Sequence, residues 1–272
     1  MRKPFLKWAG NKFRVLPHLL PLVGHPKTFV EPFAGSVATA INVDAQSYVV
    51  NDINPDLVSI YRELTDPNCD EFIVYCGELF TPENNTKDAY LEMRELFNQS
   101  KDRRERARLF IYLNRHCFNG LSRYNKSGEF NVPFGKMKNP QLPYKEMMAF
   151  RMFFLTSPHS FHNVSFDDEI LYENLKSGDV VYLDPPYVPL TETANFTSYS
   201  TDGFTHEQQE RLVEIAERLS PSGVRVIVSN HDTDVSRELY KNATIHTLEV
   251  QRSISAKGSS RGKAKELIAV YG

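Results

Sequence analysis

Val180-Val181-Tyr182-Leu183-Asp184-Pro185-Pro186-Tyr187 is the stretch that decides how the rest of this chain is read. Its four apolar residues, bounded upstream by Ser177-Gly178-Asp179, have the length and residue types of a buried strand. The two prolines end that strand. Each fixes its own φ, lacks an N–H, and pushes the residue before it out of the α region. Asp184 and Pro185 are therefore expected to lie extended beyond the sheet edge, with their carbonyls available to accept hydrogen bonds. An acid, a carbonyl and an aromatic ring then arrive together at a carboxyl strand end, where open α/β sheets bind ligands. A strand followed by a structural proline turn, with Asp at its polar edge and Tyr half-buried, would look the same. The remainder of the chain has to discriminate.

Upstream, Thr28-Phe29-Val30-Glu31-Pro32-Phe33-Ala34-Gly35-Ser36-Val37-Ala38 reads as a short strand, a glycine turn and a helix to about Val43. It has neither the G-x-G-x-x-G pattern nor a phosphate-cradling lysine, which suits a nucleoside ligand with little phosphate to hold. Ser47-Tyr48-Val49-Val50-Asn51-Asp52 follows as a second strand. An acid at that position, Asp52, is the usual partner of ribose hydroxyls in nucleoside-binding α/β folds. Asn54-Pro55-Asp56 then opens a helix with Leu57, Ile60, Tyr61 and Leu64 on one face. Before all of this stands Lys7-Trp8-Ala9-Gly10-Asn11-Lys12, which holds the sole tryptophan. Small Ala9 and Gly10 let the backbone approach a ligand, Trp8 offers a flat face and Lys12 a cation. A capped helix with an anchoring tryptophan is the structural alternative there.

The chain of 272 residues suffices for one large domain or a domain with a substantial insertion. No apolar stretch approaches the roughly 20 residues that span a bilayer, and no signal-like apolar region stands near Met1. Cys69, Cys76 and Cys117 make neither metal-ligand spacing nor an even disulfide framework. A cytoplasmic protein without a metal is expected. The net charge of −2 hides an uneven distribution: between 101 and 145 Lys and Arg heavily outnumber Asp and Glu, and Arg252, Lys257, Arg261, Lys263 and Lys265 form a second basic stretch. Local basic faces on a near-neutral protein suit a polyanion partner, although Arg-rich helices are often only solvated faces.

From 66 to about 116 the pattern is helical, with Tyr90, Met93 and Phe97 at core spacing. Then 117–136 turns rich in Gly and Asn, with interleaved aromatics and cations, and Ser127-Gly128 is a plausible hairpin tip. Cations hold phosphates, Asn and Arg read base edges, and aromatics stack or wedge. An ordinary hairpin with packed aromatics is the competing reading. A helix at 144–156, a strand at 160–165 and a polar Thr-rich loop at 188–202 follow. Thr205-His206-Glu207-Gln208 is a capping box that opens a helix, and then come strand 224–229, a short helix, strand 244–250, a basic loop and a last strand at 266–271.

These stretches, taken in their order, resemble the DNA adenine-N6 methyltransferases of the Dam type. The resemblance rests on K-W-A-G-N-K at 7–12, F-V-E-P-F-A-G at 29–35, N-R-x-x-F-N-G-L-x-R-Y-N at 114–125, G-E-F-N-V-P-F-G at 128–135, D-P-P-Y at 184–187 and R-S-I-S at 252–255. It covers nearly the whole chain. It implies an α/β fold with a seven-stranded mixed sheet of the Rossmann-like methyltransferase type, and an inserted helical plus β-hairpin DNA-recognition subdomain. Residues 1–65 and 145–272 would be catalytic and 66–144 the insert. S-adenosylmethionine would be the donor and double-stranded DNA the partner, met by a monomer, with GATC as the commonest site. Trp8, Ala9, Gly10, Lys12, Pro32, Phe33, Gly35, Asp52, Ile53 and Asp184 would bind the donor. Asp184, Pro185 and Tyr187 would form the catalytic corner. Lys7, Arg115, Phe118, Asn119, Leu121, Arg123, Asn131, Pro133, Lys136, Met137, Arg252 and Lys257 would meet DNA.

Three departures accompany the resemblance. Val37 replaces the second glycine of an F-x-G-x-G pattern, Phe118 stands where tyrosine is common, and Met137 where a polar aromatic is common. The alternatives are an adenine methyltransferase of different site, an RNA or protein methyltransferase using the same corner, and a silent DNA-binding protein. No Pro-Cys dipeptide occurs, against cytosine C5 chemistry, and Asp rather than Ser heads the corner, against cytosine N4.

Overall fold

The computed structural model describes residues 1–188, 204–251 and 263–272. Its helices are α1 (Leu16–Val23), α2 (Pro55–Thr65), α3 (Cys69–Gly77), α4 (Lys87–Gln99), α5 (Arg103–His116), α6 (Tyr144–Leu155), α7 (His206–Leu219) and α8 (Asp234–Leu239). Its strands are β1 (Thr28–Glu31), β2 (Ser47–Asn51), β3 (His159–His162), β4 (Val180–Leu183), β5 (Arg225–His231), β6 (Thr244–Gln251) and β7 (Lys263–Tyr271). They form one seven-stranded sheet in the order β3-β2-β1-β4-β5-β7-β6. β2, β1, β4 and β5 run parallel, and β7 is antiparallel to both β5 and β6. The seven-stranded mixed α/β sheet that the resemblance implies is the one that forms.

The chain falls into two compact units. One comprises Arg14–Ala34, Asn42–Ile53 and Val164–Gly272. Its core joins Val181 and Leu183 of β4 and Val226 and Val228 of β5 to Leu212, Ile215, Ala216 and Leu219 of α7. Those α7 positions share one face at helical spacing. The helix starts where the capping box predicts: Thr205 accepts from the Gln208 amide at 3.3 Å and Gln208 accepts from the Thr205 amide at 2.8 Å. β4 is buried at all four positions, which is why its sequence is apolar throughout rather than alternating. At its entrance the buried Asp179 accepts from the Thr28 amide at 2.8 Å and the Lys176 amide at 2.7 Å, pinning β1 beside β4.

The other unit comprises Met1–Phe13, Gly35–Ile41 and Asn54–Asn163. Phe5, Tyr61, Phe150 and Phe161 pack ring against ring, with Phe5 and Phe150 edge-on at 5.2 Å. Asn54 caps α2 by accepting from the Asp56 amide at 2.9 Å. The Asp56 carboxylate is buried and held by Arg106 of α5 in a two-pronged pair at 2.7 and 2.8 Å. The Tyr124 hydroxyl donates to the same carboxylate at 3.0 Å, tying the loop after α5 to the start of α2.

Local readings differ from this structure at a few places. No α-helix runs from Gly35 to Val43. Gly35 (φ 51°) and Val37 (φ 59°) are both left-handed, which breaks the i→i−4 ladder, and only a 3₁₀ turn at Ala40–Asn42 follows. The hairpin at 123–131 forms as a turn closed by the single bridge Tyr124↔Phe130 rather than a regular ladder. Across it the Asn125 amide donates to the Glu129 carbonyl at 2.9 Å and the Asn131 amide to the Arg123 carbonyl at 3.1 Å. Other groups of this stretch bond α4: Asn98 exchanges two hydrogen bonds with Phe130, and the Tyr90 hydroxyl donates to the Val132 carbonyl at 2.7 Å. β3 ends at His162, and β7 starts at Lys263, ahead of Glu266. All of the loop expected at 188–202 but Val188, and the basic stretch 252–262 with Arg252 and Lys257, lie outside the described residues. Among the described residues no helix is long and apolar enough to cross a membrane.

Candidate active site

In the unit built on the parallel strands, the carboxyl ends of β1, β2 and β4 gather the expected residues. β1 ends in the buried Glu31 and leads into Pro32 and Phe33. Asn51, at the end of β2, is buried and ties this turn down. Its side chain donates to the Pro32 carbonyl at 3.0 Å and the Val164 carbonyl at 3.1 Å, and its own carbonyl accepts from the Ala34 amide at 2.9 Å. Phe33 stacks on Phe166 at 5.3 Å and meets Phe204 edge-on at 5.8 Å. Asp52 is nearly buried, whereas its neighbour Ile53 is 71% exposed, an apolar side chain standing in the open beside an acid.

β4 delivers Asp184 half-buried, Pro185 buried, Pro186 exposed and Tyr187 half-buried. The Tyr187 hydroxyl donates to Glu266 of β7 at 3.2 Å, and its ring meets His231 edge-on at 4.8 Å. Burial first, then the negative charge of Asp184, holds the Tyr187 phenol protonated, its pKa well above the usual value. A neutral phenolic ring is therefore fixed immediately after an acid and two prolines.

In the other unit, Trp8, Ala9 and Gly10 form a turn in which the Asn11 amide donates to the Trp8 carbonyl at 3.3 Å and the buried Lys12 ammonium to the Gly10 carbonyl at 2.8 Å. Trp8 lies against Gly35: a Cβ on Gly35 would come within 2.6 Å of the indole nitrogen. The Tyr61 hydroxyl donates to the Gly35 carbonyl. Val37, in place of the second glycine, keeps a left-handed backbone although β-branched, a strain of about 1–3 kcal/mol that its complete burial offsets.

Lys7 is anchored by Asn114, which accepts from its amide at 2.9 Å and donates to its carbonyl at 2.7 Å. Its side chain crosses Gly120, where a Cβ would lie 2.5 Å from the Lys7 Cβ. Burial, then the neighbouring Arg115 charge, pushes the Lys7 amine's pKa down. Arg115 is half-buried and donates to the Phe5 carbonyl at 2.6 Å, so it braces the N-terminal segment from inside. Phe118 (50% exposed) and Met137 stand out from the surface, as do Asn119, Pro133 and Lys136. Leu121 is half-buried. Arg123 is exposed and its guanidinium donates to the Asn131 side chain at 2.7 Å and carbonyl at 3.2 Å, which fixes its direction.

Residues 8–254 match the family described as D12 class N6 adenine-specific DNA methyltransferase. The chain belongs to that family. It is 44% identical to the DNA adenine methylase of Escherichia coli (strain K12), over 99% of this chain and 95% of that protein. It is 41% identical to the DNA adenine methylase of Vibrio cholerae serotype O1 (strain ATCC 39541), over 99% and 96%. To the DNA adenine methylase of Serratia marcescens it is 39% identical, over 99% and 98%. It is an adenine-specific DNA methyltransferase, and its substrate is DNA.

Sequence reasoning passed over several residues that hold this methyltransferase's 184–187 corner. Gln209, Asn230, His231 and Glu266 bond the corner or Val188 beside it, and Tyr240 bonds Gln209 and Asn230. The available signal was Ser229-Asn230-His231, three polar residues closing an apolar strand.

Proposed function

We propose that the protein moves a methyl group from S-adenosylmethionine to N6 of an adenine extruded from duplex DNA, within GATC. The observation that carries this reading is the acid–proline–proline–tyrosine corner at the carboxyl end of the buried β4. The adenine N6 lone pair is delocalised into the ring and is a poor nucleophile. Asp184 and the Pro185 carbonyl each accept one N6 hydrogen, which turns the lone pair out of the ring plane. That is positioning and electrostatics, with no covalent intermediate on the protein. Extruding the base costs a few kcal/mol. Stacking on Tyr187, worth about 1–3 kcal/mol per base, offsets much of it.

The donor, when bound, supplies a sulfonium methyl. The residues fit it in kind: Asp52 suits ribose hydroxyls, exposed Ile53 a purine face, Pro32, Phe33 and Gly35 a close-packed turn, and Trp8, Ala9, Gly10 and Lys12 an aromatic wall with a cation. Residues 66–144 serve target recognition, and 1–65 with 145–272 catalysis. Lys7, Phe118, Asn119, Leu121, Arg123, Asn131, Pro133, Lys136 and Met137 approach the target bases and backbone. Arg115 supports Lys7, and Arg252 and Lys257 take phosphates. The GATC assignment leans on the resemblance of 114–135 to proteins of that specificity. Transfer of tritiated methyl to matched duplexes with and without GATC tests it. Incorporation confined to GATC duplexes is expected. Equal incorporation into both sinks the site assignment, and none into any DNA sinks the donor or the base assignment.

A further inference from the structure

The backbone of the 184–187 corner has few handles. Pro185 and Pro186 carry no N–H, so the ordinary strand ladder cannot hold the chain there. Two buried amides do so instead. Gln209 of α7 donates to the Pro186 carbonyl at 2.9 Å. Asn230 of β5 accepts from the Val188 amide at 2.9 Å and from the His231 amide at 2.9 Å. The Asn230 amide group then donates to Gln209 at 3.3 Å and to the Tyr240 oxygen at 3.0 Å, and the Tyr240 hydroxyl donates to Gln209 at 3.2 Å. His231 Nδ1 lies 2.8 Å from the Val188 carbonyl. Gln209, Asn230 and Tyr240 are all essentially inaccessible to solvent.

The polarity of this chain of bonds is determined by chemistry. A main-chain N–H only donates, so the Asn230 oxygen must face Val188. Its NH₂ then faces the Gln209 oxygen, and the Gln209 NH₂ faces Pro186. Every amide group in the relay has a partner, and reversing any one amide breaks the rest. Three mutually bonded polar side chains in a largely apolar core are a costly way to gain stability alone, because each unmet group is penalised. Their placement concentrates on the two residues that flank Tyr187.

We propose that Gln209 and Asn230 are positioning residues for methyl transfer: they clamp the Pro186 carbonyl and the Val188 amide, so that Asp184, Pro185 and Tyr187 meet the base in one geometry. This rests on reading 184–187 as the catalytic corner. The clamp leaves DNA and donor binding to other residues and acts on the rate of the chemical step.

Gln209→Met keeps the volume and removes the donor to Pro186. Tyr240→Phe removes one hydroxyl of the relay and disturbs the core less. Single-turnover methylation of the duplex that the wild-type enzyme modifies gives a rate constant and an amplitude separately. The rate constant of Gln209→Met is expected to fall about 10–100-fold, the scale of a misplacement near 1 Å, with amplitude and both KM values near wild type. Tyr240→Phe is expected to show a smaller loss in the same rate constant. A merely structural role lowers the amplitude at an unchanged rate constant, and that result overturns the proposal, as does an unchanged rate constant in both folded variants. Asp184→Asn runs beside them. Wild-type turnover in Asp184→Asn means that the corner itself was misread. An inert Asp184→Asn beside a Gln209→Met of wild-type rate constant removes only the clamp.

Discussion

Gly35→Ala tests how the Trp8 turn is built. Gly35 sits at φ 51°, and an added Cβ would lie 2.6 Å from the Trp8 indole nitrogen, 2.8 Å from Cδ1 and 3.3 Å from Cε2. Two costs follow. The left-handed backbone costs a residue with a Cβ about 1–2 kcal/mol. The ring must also retreat by about 1 Å to restore ordinary contacts of roughly 3.5–4.0 Å. Gly24→Ala gives a backbone cost without the clash, because Gly24 also has a positive φ (67°, with ψ −138°) and its Cβ would meet nothing within 4 Å. Trp8 is the sole tryptophan, so the intrinsic emission spectrum reports on this ring alone. Gly35→Ala should shift that emission and weaken S-adenosylmethionine binding at least about 10-fold, or roughly 1.4 kcal/mol, by calorimetric titration. Gly24→Ala should lose stability in denaturant and leave both signals alone. Unchanged emission with donor affinity within about twofold of wild type in Gly35→Ala would refute the packing argument. Equal effects from the two alanines would refute its steric part.

Asp184→Ala is expected to abolish turnover while DNA still retards the folded protein in a gel; loss of binding by folded protein counts against its role. Arg123→Ala should relax site choice, read by methylation of duplexes with one altered base pair. A uniform loss of affinity with a salt slope shallower by about 1 would mark a phosphate contact instead. Tyr124→Phe removes a donor to the buried Asp56 carboxylate and should cost about 1.5–3 kcal/mol in denaturant unfolding; no loss would mean that Arg106 alone satisfies that acid. Burial, outweighing its hydrogen bond to the Tyr112 carbonyl, pushes the His116 pKa down to about 4. The unfolded chain therefore binds the extra proton first, and this contribution to stability is present above about pH 6.5 and disappears as pH falls towards 4. His116→Gln should lose less stability than wild type over that interval, and parallel losses would contradict the assignment.

The strands β1, β2, β4 and β5 were legible because each carries an apolar run bounded by Gly, Pro or a polar turn, and two prolines close β4; the seven-stranded mixed sheet was implied by the resemblance. The α7 cap was legible because Thr205 and Gln208 are local partners. What escaped reading was non-local. Nothing in Ser36-Val37-Ala38 announces a fully buried valine with a left-handed backbone. The loop at 117–136 was legible as a hairpin, and its two arms do bond one another, but its further backbone partners, Tyr90, Arg94 and Asn98, lie on a helix some 30 or more residues away. Arg115 has the composition of a DNA contact and a bond to the Phe5 carbonyl, a distinction that charge alone does not carry. Gln209 and Asn230 lie on different elements and meet only through tertiary packing.

Asp56 belongs to the stretch before residue 66, while Arg106 and Tyr124, its two partners, lie within 66–144. On the proposed reading of 66–144 as the recognition segment, that division matters to anyone who would transplant it from a relative to change which sequence is modified. A graft lacking a guanidinium and a phenol at these places would strand a buried carboxylate at a cost of about 3–5 kcal/mol, a third or more of the stability of many domains. A chimera should then fail by unfolding, before its new specificity could ever be read. The workable graft carries Asp56 with it, or exchanges Asp56 for the apolar residue that the donor's own lining was built to cover.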